Sequence, residues 1–169
     1  MNCSLQVGCE LTRVSTPEEA KEVSGFLLQP GLFGTQLTPG EIEEFALNPA
    51  KSIGCEHDTY WFQRDDNGDL CAVIGVRMNF GRTGMYEISA MAVGPSCRQQ
   101  GVGRRMLEFA LRFVADMKGR GLIFETSSDS SYAPMHKLLE HFGFKPVGRF
   151  PDFYYPGEDT LWYYLEVKR

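Results

Sequence analysis

The sequence has no C-x-x-C pair, no apolar run long enough to span a bilayer and no repeated segment. Its five cysteines, Cys3, Cys9, Cys55, Cys71 and Cys97, are scattered and odd in number. That pattern argues against zinc or a redox pair and fits thiols in a reducing compartment. The start, MNCSLQVGCELTR, has neither a basic opening nor an apolar signal core, so a cytoplasmic protein with no membrane partner is expected. Basic residues are few: 17 Lys and Arg against 22 Asp and Glu leave a net charge of −5. Nucleic acid wants a basic surface and is not expected as a partner. A cationic amine is compatible with this charge, though charge alone does not select one. Two phosphate motifs are missing as well. No Gly-Lys-Ser/Thr ending marks a P-loop, which removes a nucleotide phosphotransferase. Met106 stands where a dinucleotide fingerprint needs its third glycine.

What is present suits one domain over residues 1–169, with 43% hydrophobic residues. The stretch LQVGCELTRVS alternates as a first strand. Thr16-Pro17 and Thr38-Pro39 each read as a helix start, a capping hydroxyl followed by proline at the first helical position. Between them lies a glycine-rich loop. Asp65-Asp66-Asn67-Gly68 separates two apolar runs and predicts a hairpin. MYEISAMAV is a further strand. GVGRRMLEFALRFVADMKG is the clearest helix, with Met106, Ala110, Phe113 and Met117 on one face and Gly119 as its stop. GLIFETSS is a short buried strand, YAPMHKLLEHFGF a helix stopped by Gly143, and FKPVGRF and TLWYYLEV two last strands around a tyrosine-rich loop. The order β-α-α-β-β-β-α-β-α-β-β predicts an α/β fold with a mixed, mostly antiparallel sheet flanked by helices.

The segment CRQQGVGRRML, Cys97 to Leu107, joins a strand to the long helix. The first N–H groups of a helix have no carbonyl partners within it and carry partial positive charge. Gly101 and Gly103 lack a Cβ and let an anion approach, and Arg98, Arg104 and Arg105 add charge. The residues alone allow either a plain turn or a pyrophosphate seat.

Arg98 to Gly103, R-Q-Q-G-V-G, matches the Q/R-x-x-G-x-G/A motif of the GNAT acetyltransferases. The strand before it, the helix after it and the later LLEHFGF also resemble that family, over roughly residues 59–167. The resemblance implies a GNAT fold and an acetyl-CoA-dependent N-acetyltransferase, with no metal. Its acceptor would be a primary amine of a small molecule or a peptide N-terminus, attacking directly. It implies that Gln99, Gln100, Gly101, Val102, Gly103 and Arg104, with Arg98, hold the CoA pyrophosphate. Met91, Ala92 and Val93 would pair with the pantetheine arm. A homodimer through an exposed edge strand is compatible with such folds.

For the base, the family suggests Glu87 or Glu125, with Glu87 slightly ahead; a buried Glu125 would have a raised pKa. The family's usual tyrosine acid falls at Leu139, and its asparagine position holds Tyr132. That leaves Tyr132, Tyr154, Tyr155 or solvent to protonate the thiolate. The missing tyrosine also suggests an alternative, a non-catalytic CoA-binding sensor or interaction module. Phe153, Tyr154 and Tyr155 are expected in a loop that walls the acceptor site, with Leu27 to Gln36 opposite. His136 and His141, five apart, do not form a metal pair, and His57 has no evident partner.

Overall fold

The computed structural model describes residues 10–34 and 36–167. Residues 5–9 of the expected first strand, with Cys3 and Cys9, lie outside the described residues, as does Thr35 in the glycine-rich loop. Among the described residues no helix is long and apolar enough to cross a membrane.

The elements follow the expected order. They are β1 (Thr12–Arg13), α1 (Pro17–Leu27), α2 (Pro39–Lys51), β2 (Asp58–Arg64), β3 (Leu70–Met78), β4 (Met85–Val93), α3 (Val102–Asp116), β5 (Gly121–Ser127), α4 (Ala133–His141), β6 (Lys145–Tyr155) and β7 (Glu158–Glu166). Both early helices start on a closed capping box. Thr16 Oγ1 accepts from the Glu19 N–H while Glu19 reaches back to the Thr16 N–H, and Thr38 and Glu41 repeat this.

One seven-stranded sheet runs in the order β1-β2-β3-β4-β5-β7-β6. Every neighbouring pair is antiparallel except β4 and β5. α1 and α2 cover one face through Val23, Leu27 and Phe45 against Tyr60, Phe62 and Val73. On the other face Met106, Leu107, Ala110 and Val114 of α3 pack on Ile74, Tyr86 and Leu122, with Leu139 of α4. Trp61 sits edge-on to Phe109 and Phe113 at centroid distances of 4.9 and 4.8 Å. Each face therefore buries the apolar stripe of its helices, which is what fixes strand register.

Two local features depart from expectation. α3 ends at Asp116, and the left-handed residue after it is Lys118 (φ +56°), not Gly119. Gly119 is needed for space: a Cβ there would meet Val114 Cγ1 at 2.5 Å. Phe153, Tyr154 and Tyr155 lie in strand β6 rather than in a loop, and only Pro156 and Gly157 turn the chain into β7. Proline at 151 reads as a breaker, yet β6 is an edge strand and needs donors on one side only. Pairing is interrupted there. Phe150 faces Thr160 and Tyr155 faces Glu158, so four residues of β6 oppose Asp159 alone. Asp152, at φ +52°, turns its N–H onto Asp159 Oδ1 at 2.9 Å. This irregularity interrupts the β6–β7 ladder.

Candidate active site

β4 and β5 pair through Met85–Gly121, Tyr86–Leu122 and Glu87–Ile123, and then the ladder stops. From Ile88 to Val93, β4 keeps β3 on one edge and, among the described residues, has no strand on the other. A second irregularity coincides with the split. Gly75 pairs with Ala90 and Val76 with Ile88, which leaves Ser89 as an extra, bulged residue on β4. A cavity of about 340 Å³ opens at this place. Its wall takes Glu87, Ser89 and Met91 from β4, Glu125, Thr126 and Ser127 from β5, Glu41 and Glu44 from α2, and Tyr132, Phe153 and Tyr154.

The two candidate bases differ in surroundings. Arg77 Nε donates to Glu87 Oε1 at 2.5 Å, and its Nη1 donates to Glu44 Oε1 at 3.0 Å. Burial works against the Arg77 charge, but its two carboxylates outweigh this and hold its pKa above the ordinary value. Glu87 is thus one arm of an ion pair. Glu125 has no cationic partner among the described residues. Burial pushes its carboxyl above the usual range; the Tyr154 hydroxyl, donating at 3.0 Å, pulls it partly back; and the nearby Glu87 and Glu41 charges push it up again. Burial and the Glu125 charge likewise raise the Tyr154 phenol.

Tyr132 ends a short 3-10 turn before α4 and lines the cavity. Its hydroxyl lies where a Cβ on Gly34 would come within 3.3 Å, so the α1–α2 loop can approach only because residue 34 is glycine. Burial raises its pKa to about 12. Leu139, at the family's usual tyrosine position, is fully buried in the core. Tyr155 is not in the cavity wall; its hydroxyl donates to the Leu37 carbonyl at 3.3 Å and ties β6 to the α1–α2 loop.

Beyond the split, β4 leads through a 3-10 turn (Pro95–Cys97) into the glycine loop. Gln99 and Gly101 have φ of +60° and +72°. The first bond of α3 runs from the Arg105 N–H to the Gly101 carbonyl at 3.1 Å, so the N–H groups of Val102, Gly103 and Arg104 have no intrahelical partner. Gly101 is required by its conformation. Gly103 is not: a Cβ there would make ordinary contacts, 3.5 Å to Leu138 and 3.6 Å to Met91. Gly103 thus faces neighbouring side chains. The arginines are partly committed. Arg98 Nε donates to the Val93 carbonyl, Arg105 Nη1 to the Gln100 carbonyl, and Arg104 pairs with Glu108.

The remaining sequence candidates sit apart. His57 Nδ1 lies 2.9 Å from the Tyr86 hydroxyl, and His136 Nε2 lies 2.9 Å from the Ser127 carbonyl with its ring stacked on Tyr163. Among the described residues no cluster of His, Cys, Asp and Glu could hold a metal ion. Arg77, Glu41, Ser89, Thr126 and Glu158 were not evident from sequence. Glu41 had one signal, its place three residues after the Thr38 cap; the others depend on strand register.

A split parallel pair beside a glycine-opened helix can be compared with known proteins. The model of the acetyltransferase (GNAT) family matches residues 32–144. The chain belongs to the GNAT family of acetyltransferases. An uncharacterised N-acetyltransferase of Schizosaccharomyces pombe is 23% identical over 137 residues, 81% of each chain. The crystal structure of a GNAT-family protein from Desulfovibrio desulfuricans superposes with a TM-score of 0.80 at 26% identity, covering 94% of this chain and 99% of that one. A streptothricin-acetyltransferase-like protein from Bacillus anthracis, solved in complex with acetyl-CoA, has the same fold at a TM-score of 0.62 and 19% identity, covering 70% and 68%.

Proposed function

We propose that this GNAT enzyme carries an acetyl group from acetyl-CoA to a primary amine, of a small molecule or a peptide N-terminus, by direct attack. The observation that carries the reading is the split itself: the opening between β4 and β5 lies between the Gly101 helix start and Glu125, a half-buried carboxyl without a cationic partner among the described residues.

Acetyl-CoA supplies the thioester carbonyl that the amine attacks. The chain's own residues do the rest. The N–H groups of Val102, Gly103 and Arg104, at the positive end of α3, suit a pyrophosphate, and Gly101 leaves room for it. Arg98, Gln99 and Gln100 frame the same seat. The free edge of β4 at Met91, Ala92 and Val93 offers backbone groups for an amide-containing arm to bond as an added strand. The bulge at Ser89 interrupts the β3–β4 pairing beside the split, where a backbone N–H would stabilise the carbonyl oxygen as it gains charge.

Glu125 accepts a proton from the amine nitrogen as the N–C bond forms and the C–S bond breaks. The sulfur leaves as a thiolate and takes a proton to become the CoA thiol, which closes the balance. Tyr132, with a pKa of about 12, is a weaker acid than a thiol near 8.5. It therefore donates a hydrogen bond to the sulfur, and solvent supplies the proton. Phe153 and Tyr154 wall the acceptor. Leu139 packs in the core, so its difference from the family pattern has a structural reason and does not favour a non-catalytic sensor. Cytoplasmic residence belongs to the same reading.

The test is calorimetric binding of acetyl-CoA to the wild type and to Gly101→Glu. The substitution puts a strained, negatively charged side chain in the seat and should abolish measurable binding. Unchanged affinity would overturn the donor assignment.

A further inference from the structure

Tyr154 reaches Glu125 from a stretch of β6 that has no regular ladder: residues 151–154 oppose Asp159 only. Asp159 holds both sides of this gap. Its main chain is tied just past the end of β5. There its N–H donates to Ser128 Oγ at 2.9 Å, and its carbonyl accepts from the Ser128 N–H at 2.9 Å. Its side chain is tied to the bulge. Oδ1 accepts from the Asp152 N–H at 2.9 Å, and Oδ2 accepts from Arg149. Asp152 Oδ1 in turn accepts from the Gly157 N–H at 2.6 Å, at the turn into β7.

The arrangement is imposed rather than relaxed. Asp152 sits at φ +52°, a conformation that persists only where the surroundings require it. Asp159 is 7% exposed, and a carboxylate this buried stays charged only with its bonds complete. The Asp152 N–H first, and the Arg149 guanidinium after it, hold its carboxyl below the usual carboxylate range. Asp159 therefore does not itself titrate near neutral pH. Arg149 is the outer partner, with its side chain 67% exposed.

We infer that Asp159 is a positioning residue for the transfer reaction: it fixes the β6 bulge to the end of β5, so that the Tyr154 hydroxyl stays on the Glu125 carboxylate. Its part in the reaction rests on the reading of Glu125 as the base. The other titratable groups in the cavity wall do not hang on the bulge. Glu41 and Glu44 lie on α2, Glu87 pairs with Arg77 of β3, Tyr132 precedes α4, and Glu158 is bonded to the Ser127 hydroxyl. Loss of Asp159 therefore reaches Glu125 through Tyr154. The sign separates this from a plain field effect. Removing a negative charge near a carboxyl lowers its pKa, whereas losing the Tyr154 hydroxyl raises it.

The test compares Asp159→Ala, Asp159→Asn, Tyr154→Phe and the double variant Asp159→Ala/Tyr154→Phe. The Glu125 carboxyl is titrated by carbon-13 NMR, and the acid limb of kcat is followed by CoA release with 1-aminobutane or the dipeptide Ala-Ala. Asp159→Ala frees the Asp152 N–H. It should move the Glu125 midpoint to higher pH and raise the ratio of kcat at pH 8 to that at pH 6 about threefold or more. Asp159→Asn keeps an oxygen for the Asp152 N–H while Arg149 turns to solvent, and should leave the midpoint in place. The double variant should titrate where Tyr154→Phe alone does. A midpoint that stays or falls in Asp159→Ala, or rises further in the double variant, would overturn the inference and leave Glu125 as the base. A midpoint that rises while the kcat limb stays supports the clamp and removes Glu125 as the base. Amide exchange on the wild type covers the case in which Asp159→Ala does not fold. The Asp152 N–H, paired with no strand, should exchange about tenfold or more slowly than in an unstructured peptide, and exchange at the free rate means that Asp159 holds nothing there.

Discussion

The Tyr154 hydroxyl donates to Glu125 Oε1 at 3.0 Å in the wall of the cavity, joining the bulged part of β6 to β5. This bond favours the carboxylate and lowers the Glu125 pKa, against the larger effect of burial. Removing it with Tyr154→Phe keeps the ring and should raise that pKa further. A base works in its deprotonated form, so the acid limb of the kcat profile should move to higher pH. The variant should lose more activity at pH 6 than at pH 8, measured with one acceptor. A limb that stays in place would show that Glu125 does not take the proton.

The two glutamates should separate when each is changed to glutamine. The unfolded chain loses the Glu125 proton near 4.5, whereas the folded protein holds it to higher pH. Between those values the folded state binds more protons than the unfolded, so stability falls as pH rises, and the penalty persists above both. Glu125→Gln removes the penalty. At pH 7 its Tm should equal or exceed the wild type's while kcat drops about 10²- to 10⁴-fold. Glu87→Gln instead removes one of the two carboxylates paired with half-buried Arg77 and leaves Glu44. It should cost about 1–2 kcal/mol of stability and less than about tenfold in kcat. Calorimetry and steady-state kinetics on both variants decide; the reverse ranking in kcat would restore Glu87 as the base.

Glu87 shows where sequence reading stops. Both helix starts follow from local rules, Thr-Pro with an acidic third position, and so does the turn at Asp65 to Gly68. The strand, glycine loop and helix from Met85 onward are equally local, which is why those elements were legible. Whether Glu87 is free depends on Arg77, its register partner on the neighbouring strand, which no pattern around Glu87 itself reveals. The same holds for Tyr154. Pro151 and Asp152 look like a loop, and only the edge position of β6 and its uneven pairing with Asp159 turn them into part of a strand.

The bulge has a steric partner that can be tested. A Cβ on Gly75 would lie 2.4 Å from Ser89 Oγ and 2.8 Å from the Tyr60 ring. Tyr60 is fully buried and cannot swing away. Gly75→Ala should cost about 1–3 kcal/mol through overpacking. The displacement falls on Ser89, in the cavity wall, and not on the glycine loop. Turnover should therefore fall by more than acetyl-CoA affinity does, with calorimetry supplying both Tm and Kd. Equal losses in both would mean that the bulge supports the donor seat as well.

Lys118 offers a stabilising change. It stops α3 at φ +56°, with its N–H on the Ala115 carbonyl at 2.9 Å and that of Gly119 on the Val114 carbonyl at 2.8 Å. A side chain in this left-handed conformation costs about 1–2 kcal/mol, and glycine avoids it at some cost in unfolded-state entropy. Lys118→Gly should thus gain about 0.5–1 kcal/mol and raise Tm by about 1–4 °C. The adjacent glycine cannot donate its place in exchange, because a Cβ on residue 119 would also stand 2.9 Å from the Val114 carbonyl oxygen. Gly119→Ala should accordingly lower Tm, and the two variants measured side by side in a scanning calorimeter should move in opposite directions. Movement in the same direction would show that this turn is not held by the left-handed residue at 118.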